Sequence, residues 1–412
     1  MRRHTPLRRR PVRNAAIVGT AVLAAALTAC SGGSGGSGDG KGGAADLAGA
    51  GKKAEISVNL TGQQAKAGEP VKVTLAAGKL QQVTVTDGKG GKLAGKTAAD
   101  GRTWTSDRVA APGTTYAVEA KDEKGSTAKA GFTTAAADKV NKLSLAPGKD
   151  TTVGVAQPLS IVFDHPVKNK AAVEKQLKVT TSDNTAGSWG WMEDYSGKSR
   201  VDWRPKEYWK SGTKVTLEAD LNGVDSGSGW FVKDYKTGFT VGRNQVVKVD
   251  LDNHRLKLYR DGAVVKDIPV SGGTPGGDKR SWRGKAVLMA KEGTINMNSE
   301  TVGLGNAYNK MVDYSMRLTW SGMYAHAAPW NASYFGNTNH SSGCIGMSDA
   351  NAKELYGTVQ VGDPFEIVGD DTKGPQALNN GYGEWNLSWE QWQQKSALSG
   401  ASSSGTSGTA SS

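Results

Sequence analysis

One thiol and two imidazoles lie close together in the C-terminal half of this 412-residue sequence. Cys344 stands in the segment 339–347 (NHSSGCIGM), with His340 four residues before it and His326 eighteen residues before it. A cysteine attacks a carbonyl carbon as the thiolate, which a nearby imidazole generates by accepting the proton. Glycine directly before the nucleophile leaves room for substrate and frees backbone N–H groups for a developing oxyanion. The pattern makes Cys344 a candidate nucleophile, although a cysteine near a histidine is at least as often a small buried apolar residue.

The composition excludes several other classes of protein. With only two cysteines, Cys30 and Cys344, the chain forms neither a disulfide framework nor a cysteine-based zinc site. No carboxylate or cysteine set completes a ligand shell around His326 and His340, so we expect no metal and no cofactor. Residues 1–29 contain six arginines and no acidic residue, and without them 45 basic and 39 acidic residues leave a net charge of +6. That charge is too small for a nucleic-acid-binding protein, so no nucleic acid partner is expected.

The N-terminus has the layout of an export signal. An arginine-rich start precedes the uncharged stretch 15–29, whose 15 residues are too few to span a bilayer comfortably. It ends in LTAC at 27–30, which resembles the lipobox of bacterial lipoproteins. We therefore expect residues 1–29 to be a signal peptide and Cys30 to carry diacylglyceryl and N-acyl (palmitate-type) chains, which would anchor the protein to the outer face of the cell membrane. Ordinary cleavage nearby, leaving a free thiol, is the alternative, and the Gly/Ser-rich residues 30–53 are predicted to be a flexible tether.

Apolar and polar residues alternate along much of residues 54–243, the pattern of short strands with one buried face. Turn-forming residues separate these runs, which predicts two β-sandwich domains at 54–136 and 137–243. Both units resemble the bacterial Ig-like domains that precede certain cell-wall enzymes. The second unit contains five tryptophans, which we expect to serve packing rather than glycan binding because Trp buries a large area: Trp189, Trp191, Trp203, Trp209 and Trp230.

A third β-rich unit is predicted at 244–370. Its expected strands lie at 246–251, at 255–260, after the turn at 261–262, near 285–291, near 323–325 and, closing the domain, at 364–368. Ser348 can N-cap a short helix that follows it. The Trp-rich extension at 371–395 should dock on the preceding domain. The Ser/Gly/Thr-rich tail at 396–412 should be disordered.

Residues 245–395 resemble the catalytic domain of the L,D-transpeptidases (the YkuD family), which crosslink peptidoglycan. The resemblance rests on the segment YAHAAPW at 324–330, on the 18-residue step from His326 to Cys344, and on the Trp-rich extension. These features are similar to the lipid-anchored actinobacterial branch of the family. The resemblance implies a mainly β fold, with two Ig-like β-sandwich domains followed by a YkuD-type catalytic domain that has short helices and a Trp-rich C-terminal extension.

The resemblance also implies roles for individual residues. Cys344 matches the acylated nucleophile, and His326 matches the general base that takes the thiol proton. Ala327 matches the position whose backbone carbonyl orients the imidazole. The backbone N–H groups of Gly343 and Cys344 would stabilise the oxyanion.

Residues expected to contact substrate are Tyr308, Ser321, Gly322, Ser342 and Gly346, with Tyr324 and His340 as further candidates. Two of them depart from the family pattern. Ser342 replaces the histidine that the family carries two residues before the nucleophile, and Gly346 replaces a common Asn or Arg. If the segment before Cys344 is extended, His340 lies about 13 Å from the thiol and cannot touch it unless the chain turns.

The resemblance implies a two-step reaction on peptidoglycan stem peptides. Cys344 would attack the L-centre carbonyl of diaminopimelate in a tetrapeptide stem and expel D-Ala, and the diaminopimelate amine of a second stem would resolve the thioester in a 3→3 crosslink. Carbapenems are the expected covalent inhibitors. Two alternatives stay open: an L,D-carboxypeptidase-like variant in which water resolves the thioester, and a non-catalytic wall-binding lipoprotein, since the motif is altered at Ser342.

Overall fold

The computed structural model describes residues 54–306 and 308–399. The predicted signal peptide, Cys30, the predicted tether and the tail beyond 399 lie outside these residues. The described chain is built mainly of β-strands arranged in seven sheets, with short helices between them. The mainly β fold expected from the sequence is confirmed.

The first β-sandwich is formed by nine strands. They are β1 (Ile56–Val58), β2 (Gly62–Ala65), β3 (Pro70–Leu75), β4 (Leu80–Asp87), β5 (Lys92–Leu93), β6 (Gly95–Thr97), β7 (Thr103–Val109), β8 (Thr115–Asp122) and β9 (Thr127–Thr134). One sheet has the order β1-β3-β7-β6 and the other the order β2-β9-β8-β4-β5. Alternate residues of β3, Val71 and Val73, are buried against Trp104 of β7, because side chains point to opposite faces at every second position.

The second β-sandwich contains ten strands and one short helix. They are β10 (Lys139–Val140), β11 (Leu143–Ala146), β12 (Thr151–Val153), β13 (Leu159–Phe163), α1 (Lys170–Glu174), β14 (Leu177–Thr181), β15 (Gly187–Glu193), β16 (Ser199–Pro205), β17 (Lys214–Ala219), β18 (Trp230–Phe231) and β19 (Tyr235–Val241). The sheets β11-β13-β16-β15 and β12-β19-β17-β14 enclose a core that holds four of the five tryptophans noted above. The fifth, Trp230, is half-buried and stacks on His165 at 3.5 Å between ring centroids.

The third unit consists of two sheets around one apolar core. Its elements are β20 (Gln245–Asp250), β21 (Arg255–Arg260), β22 (Ala263–Pro269), β23 (Trp282–Val287), β24 (Ala290–Asn298), β25 (Asn309–Arg317), β26 (Tyr324–Ala327), β27 (Ile345–Met347), α2 (Asp349–Thr358), β28 (Pro364–Val368) and β29 (Lys373–Pro375). The sheets have the orders β22-β21-β20-β28-β23-β29 and β24-β25-β26-β27. Short 3₁₀ turns lie at Gly277–Lys279, Ser299–Val302 and Pro329–Tyr334.

The sequence-based assignment is right for one strand of this unit and wrong for another. The strand expected at 364–368 is present as β28, and it lies inside its sheet, where it pairs in parallel with β20 on one side and antiparallel with β23 on the other. The single strand expected near 285–291 is divided between β23 and β24, which belong to different sheets. Ser348 does cap α2, since its hydroxyl accepts a hydrogen bond from the Asn351 N–H at 3.3 Å. No helix among the described residues is long and apolar enough to span a membrane.

The Trp-rich extension packs against both the third unit and the second sandwich. On the third unit, the Asn386 side chain accepts from the Lys285 N–H at 2.8 Å and donates to the Lys285 carbonyl at 3.0 Å. The extension contains a 3₁₀ turn at Gly383–Asn386 and the helix α3 (Trp389–Gln393). Arg204 of β16 is almost fully buried, and its guanidinium lies over three rings of the extension, at 4.7, 5.5 and 5.3 Å from the centroids of Trp385, Trp389 and Trp392. The Trp392 indole is fully buried and donates to the Ser188 carbonyl at 3.0 Å. The extension is therefore held by packing together with cation–π contacts.

We predict that Trp392→Ala lowers the free energy of unfolding by about 3–5 kcal/mol, the usual cost of removing a buried aromatic side chain. A urea titration followed by circular dichroism measures it. Trp389→Ala is the matched control, because Trp389 stands in the same helix but is only half-buried. This variant should lose clearly less free energy of unfolding than Trp392→Ala. Equal losses for both variants would contradict the assignment of Trp392 as the anchor.

Candidate active site

Two short parallel strands carry the thiol and the base. β26 and β27 pair so that His326 lies opposite Gly346, with Ala325 opposite Ile345 on one side of it. Side chains alternate along a strand, so Cys344, two residues before Gly346, lies on the same side of the sheet as His326. All four residues of β26 and all three of β27 are buried. The sheet register therefore brings together two residues that are eighteen positions apart in sequence.

The loop before the nucleophile is turned rather than extended. The Ser341 hydroxyl donates to the Cys344 carbonyl at 2.6 Å and accepts from the Gly343 N–H at 3.1 Å. Gly343 has φ +119°, a conformation that L-residues with a side chain rarely adopt, and its carbonyl accepts from the Ser281 hydroxyl at 2.8 Å. A glycine is thus required before the cysteine for a backbone reason. The Gly343 N–H, expected as an oxyanion donor, is bonded to Ser341 in this structure.

The imidazole of His326 is oriented by a backbone carbonyl. Nδ1 lies 2.7 Å from the Ala327 carbonyl oxygen, which can only accept, so Nδ1 carries the proton and Nε2 is left as the basic atom. The ring is 5 % exposed, and its burial lowers the pKa of His326 to about 4, partly opposed by the bond to Ala327. Trp330 stacks beside the imidazole at 6.1 Å between ring centroids.

The thiol of Cys344 is similarly shielded from water. Its Sγ lies 3.5 Å from the Gly322 carbonyl oxygen, to which the S–H donates. Burial raises the pKa of Cys344 to about 11, and a hydrogen bond from the Tyr324 backbone opposes the shift only in part. At neutral pH the resting pair is therefore a neutral thiol beside a neutral imidazole. Proton transfer from sulfur to nitrogen has to accompany attack on a substrate.

Two neighbouring pockets lie at the loop before Cys344. The first contains the thiol and the His326 imidazole and is lined by polar, aromatic and basic side chains, among them Tyr308, Lys310, His326, Trp330, His340, Ser342, Cys344 and Gly346. The second is lined among others by Asp278, Arg280, Tyr308, Ser321, Gly322, Ser342 and Gly343. Tyr308 and Ser342 line both pockets. Cys344 lines only the first of the two, whereas Gly322, whose carbonyl accepts from the thiol, lines the second.

Most of the residues expected to contact substrate line one of these two pockets. Tyr308, Ser342, Gly346 and His340 line the first, and Ser321 and Gly322 line the second. Tyr324 lines neither of them but lines a third pocket, which shares Tyr308 with both and Gly322 with the second. Its hydroxyl donates to Glu292, another residue of that third pocket, at 3.0 Å.

His340 lies in the thiol pocket because the chain turns. The bends at 342–344 cancel the extended geometry that would have placed the ring far from the sulfur. The backbone N–H of His340 donates to the Ser271 hydroxyl at 3.0 Å, and the His340 ring stacks on Tyr334 at 4.2 Å between centroids. Ser271 in turn exchanges two backbone hydrogen bonds with Gly346, each 2.9 Å long. The histidine is thereby fixed at the pocket wall.

No sequence pattern pointed to several residues that shape the site. Asn380 of the extension is buried, and its side chain accepts from the Ser321 N–H at 2.8 Å and donates to the Ser321 hydroxyl at 2.8 Å. Ser281 holds the Gly343 carbonyl, and Lys310 lies over the Trp330 ring. No group of three or more His, Cys, Asp or Glu side chains in residues 54–306 and 308–399 is arranged to hold a metal ion.

Comparison with known proteins gives two family matches and several similar chains. Residues 62–225 match the bacterial Ig domain, and residues 244–367 match the L,D-transpeptidase catalytic domain. The chain is 32% identical to L,D-transpeptidase 5 of Mycobacterium tuberculosis, covering 80% of this chain and 73% of the relative. It is 32% identical to L,D-transpeptidase 2 of the same organism, covering 80% and 81%. A solved L,D-transpeptidase in complex with imipenem is 32% identical over 56% of this chain and 99% of that one, with a TM-score of 0.48.

The buried neutral pair predicts how the reactivity of Cys344 depends on pH. Because the pKa of Cys344 is raised to about 11, the thiolate fraction should grow about tenfold per pH unit from pH 7 to 10. We expect the rate of iodoacetamide alkylation of a Cys30→Ser variant, measured by intact-protein mass spectrometry, to follow this rise without a plateau. A plateau near neutral pH would reveal a preformed thiolate–imidazolium pair and contradict the assignment.

Proposed function

The chain belongs to the L,D-transpeptidase family, and from this premise we propose that it joins two peptidoglycan stem peptides by 3→3 crosslinks, with Cys344 as nucleophile and His326 as base. The observation that carries the proposal is the register of β26 and β27, which places the two side chains on the same side of one sheet, in one pocket. The family's enzymes crosslink peptidoglycan, and the two neighbouring pockets at the loop before Cys344 suit a reaction between two peptides.

In the first step a tetrapeptide stem is the acyl donor. Sγ forms a bond to the L-centre carbonyl carbon of diaminopimelate while His326 Nε2 takes the thiol proton. The tetrahedral oxyanion is stabilised by the Cys344 N–H, and by the Gly343 N–H once it leaves Ser341. The carbon–nitrogen bond then breaks, His326 returns its proton to the departing amine, and D-Ala leaves.

In the second step the amine of another stem resolves the thioester. The diaminopimelate side-chain amine attacks the acyl carbon, His326 takes a proton from it, and the carbon–sulfur bond breaks with return of that proton to sulfur. Both the departing and the attacking amine must lie within reach of the same Nε2. They therefore use the pocket that contains His326, and the acyl portion of the donor stem occupies the second pocket.

We predict that the purified protein converts disaccharide-tetrapeptide into a dimer and free D-Ala, as measured by mass spectrometry of the products. Cys344→Ala should abolish the reaction. His326→Ala should slow it by about 10²–10⁴-fold, the usual contribution of general acid–base catalysis. Tripeptide monomers without dimer would instead support the L,D-carboxypeptidase-like alternative. Binding without turnover would support a non-catalytic wall-binding lipoprotein.

The same thiol is proposed to react with carbapenems. Their strained lactam carbonyl would be attacked by Sγ as the stem carbonyl is, and the structural relative in complex with imipenem is consistent with this chemistry. An imipenem adduct should appear in the intact mass of the wild type and disappear in Cys344→Ala. Equal adducts on both proteins would show that carbapenem acylation is not at Cys344. This result does not depend on the outcome of the crosslinking assay.

Export and lipid attachment at Cys30 complete the proposal. Support comes from the charged start, the short apolar stretch and the LTAC segment at 27–30. The two Ig-like units and the preceding tether would then hold the active site away from the membrane surface. We predict that cells grown with labelled palmitate incorporate the label into the full chain and that Cys30→Ala does not incorporate it. A labelled Cys30→Ala chain would place the modification elsewhere.

A further inference from the structure

Lys310 and His326, the proposed base, both pack on the Trp330 ring. Lys310 stands on β25 opposite Met297 of β24, in the hairpin that borders the first pocket. Its Nζ lies 4.4 Å from the centroid of the Trp330 ring, and that ring stacks on His326. A cation–π contact of this length fixes the position of an ammonium while leaving some of its three N–H groups free to donate.

The pocket around this ammonium is positively charged. Lys279 and Lys310 both line it, and none of the lining residues is acidic. Within residues 54–306 and 308–399 neither lysine forms an ion pair. They belong to different segments, since the backbone of Lys279 lies next to Gly343 and the Lys310 ammonium lies over Trp330.

We propose that Lys310 binds the α-carboxylate of the D-amino acid centre whose amine reacts beside His326. This inference rests on the proposed function and names the group that the first pocket recognises. Departing D-Ala carries a carboxylate on the carbon next to its amine. The attacking D-centre of diaminopimelate carries a carboxylate in the same place, so one binding group serves both steps.

Bond geometry supports this placement. An amine within hydrogen-bond distance of His326 Nε2 has its carboxylate carbon about 2.5 Å further on, by standard bond lengths and angles. Lys310 is the cation over Trp330, the ring that stacks on the imidazole. The backbone carbonyl of Lys279 lies next to Gly343, in the loop before the nucleophile. Lys279 therefore serves as the control for a change in the overall charge of the pocket.

The reaction used to test the proposal is the reverse of the first step. Free D-alanine attacks the acyl-enzyme, a carbon–nitrogen bond forms, the carbon–sulfur bond breaks, and the amine proton returns to sulfur through His326. D-Alaninamide performs the same chemistry but has no carboxylate. The ratio of the two rates, compared between variants, isolates carboxylate recognition from the intrinsic reactivity of each amine.

The experiment incubates full-length protein with disaccharide-tetrapeptide and deuterated D-alanine or deuterated D-alaninamide, and follows incorporation by mass spectrometry. Lys310→Gln should lower the ratio of the D-alanine rate to the D-alaninamide rate about tenfold, as expected for losing one charged hydrogen bond. Slower formation of the acyl-enzyme from the tetrapeptide lowers both rates and cancels in this ratio. Lys310→Arg should retain the preference for D-alanine. Lys279→Gln, which removes the same charge from the same pocket, should retain it as well.

Two results would overturn the proposal. An unchanged ratio in Lys310→Gln, even with both rates lowered, would remove Lys310 as the carboxylate-binding group. An equal fall of the ratio in Lys279→Gln would mean that only the overall charge of the pocket matters. If the wild type incorporates neither amine, the proposed crosslinking function fails first, and that outcome is distinct from the other two.

Discussion

Strands β26 and β27 run parallel for only a few residues, and their register puts His326 opposite Gly346 with Cys344 two residues earlier on the same side. Everything else in the site depends on this pairing. A shift of one residue would turn either side chain to the opposite face of the sheet. The pairing is protected by burial, since every residue of both strands is buried within the apolar core of the third unit. The Cys344–His326 pair is thus held by a buried sheet, and the loops around it line the two pockets.

The burial that fixes the positions of Cys344 and His326 also determines their protonation states. The pKa of His326 is lowered to about 4 and that of Cys344 is raised to about 11, so neither group is charged at rest. A neutral thiol is a poor nucleophile toward electrophiles in solution. In the proposed reaction, charge develops on the oxyanion beside backbone N–H groups only once a carbonyl is held against the sulfur. The burial that makes the resting site inert would thus favour reaction with a bound peptide.

Local pattern was sufficient to predict most of the strands and the cap at Ser348, because period-two alternation and N-caps are short-range signals. It also singled out Cys344 and His326, which the structure places in one pocket. It was insufficient for three features that arise from contacts distant in sequence. The position of β28 inside its sheet depends on pairing with strands over 70 residues away. The turn that brings His340 to the pocket depends on Ser271 and Gly343, and no periodicity encodes it. The docking of the extension depends on a buried arginine in another domain, a residue type that sequence patterns place at the surface.

The extension explains how the second sandwich and the active site are joined physically. Arg200 of that sandwich is buried, is paired with Asp202 and donates to the Gly381 carbonyl at 2.9 Å. The next residue back, Asn380, holds both the N–H and the hydroxyl of Ser321, and Gly322 accepts the hydrogen bond of the thiol. A loop that carries a substrate pocket is therefore fastened from outside its own domain. Because a buried arginine that loses its partners is costly, the second sandwich is an integral part of the platform on which the thiol is positioned, in addition to any role as a spacer.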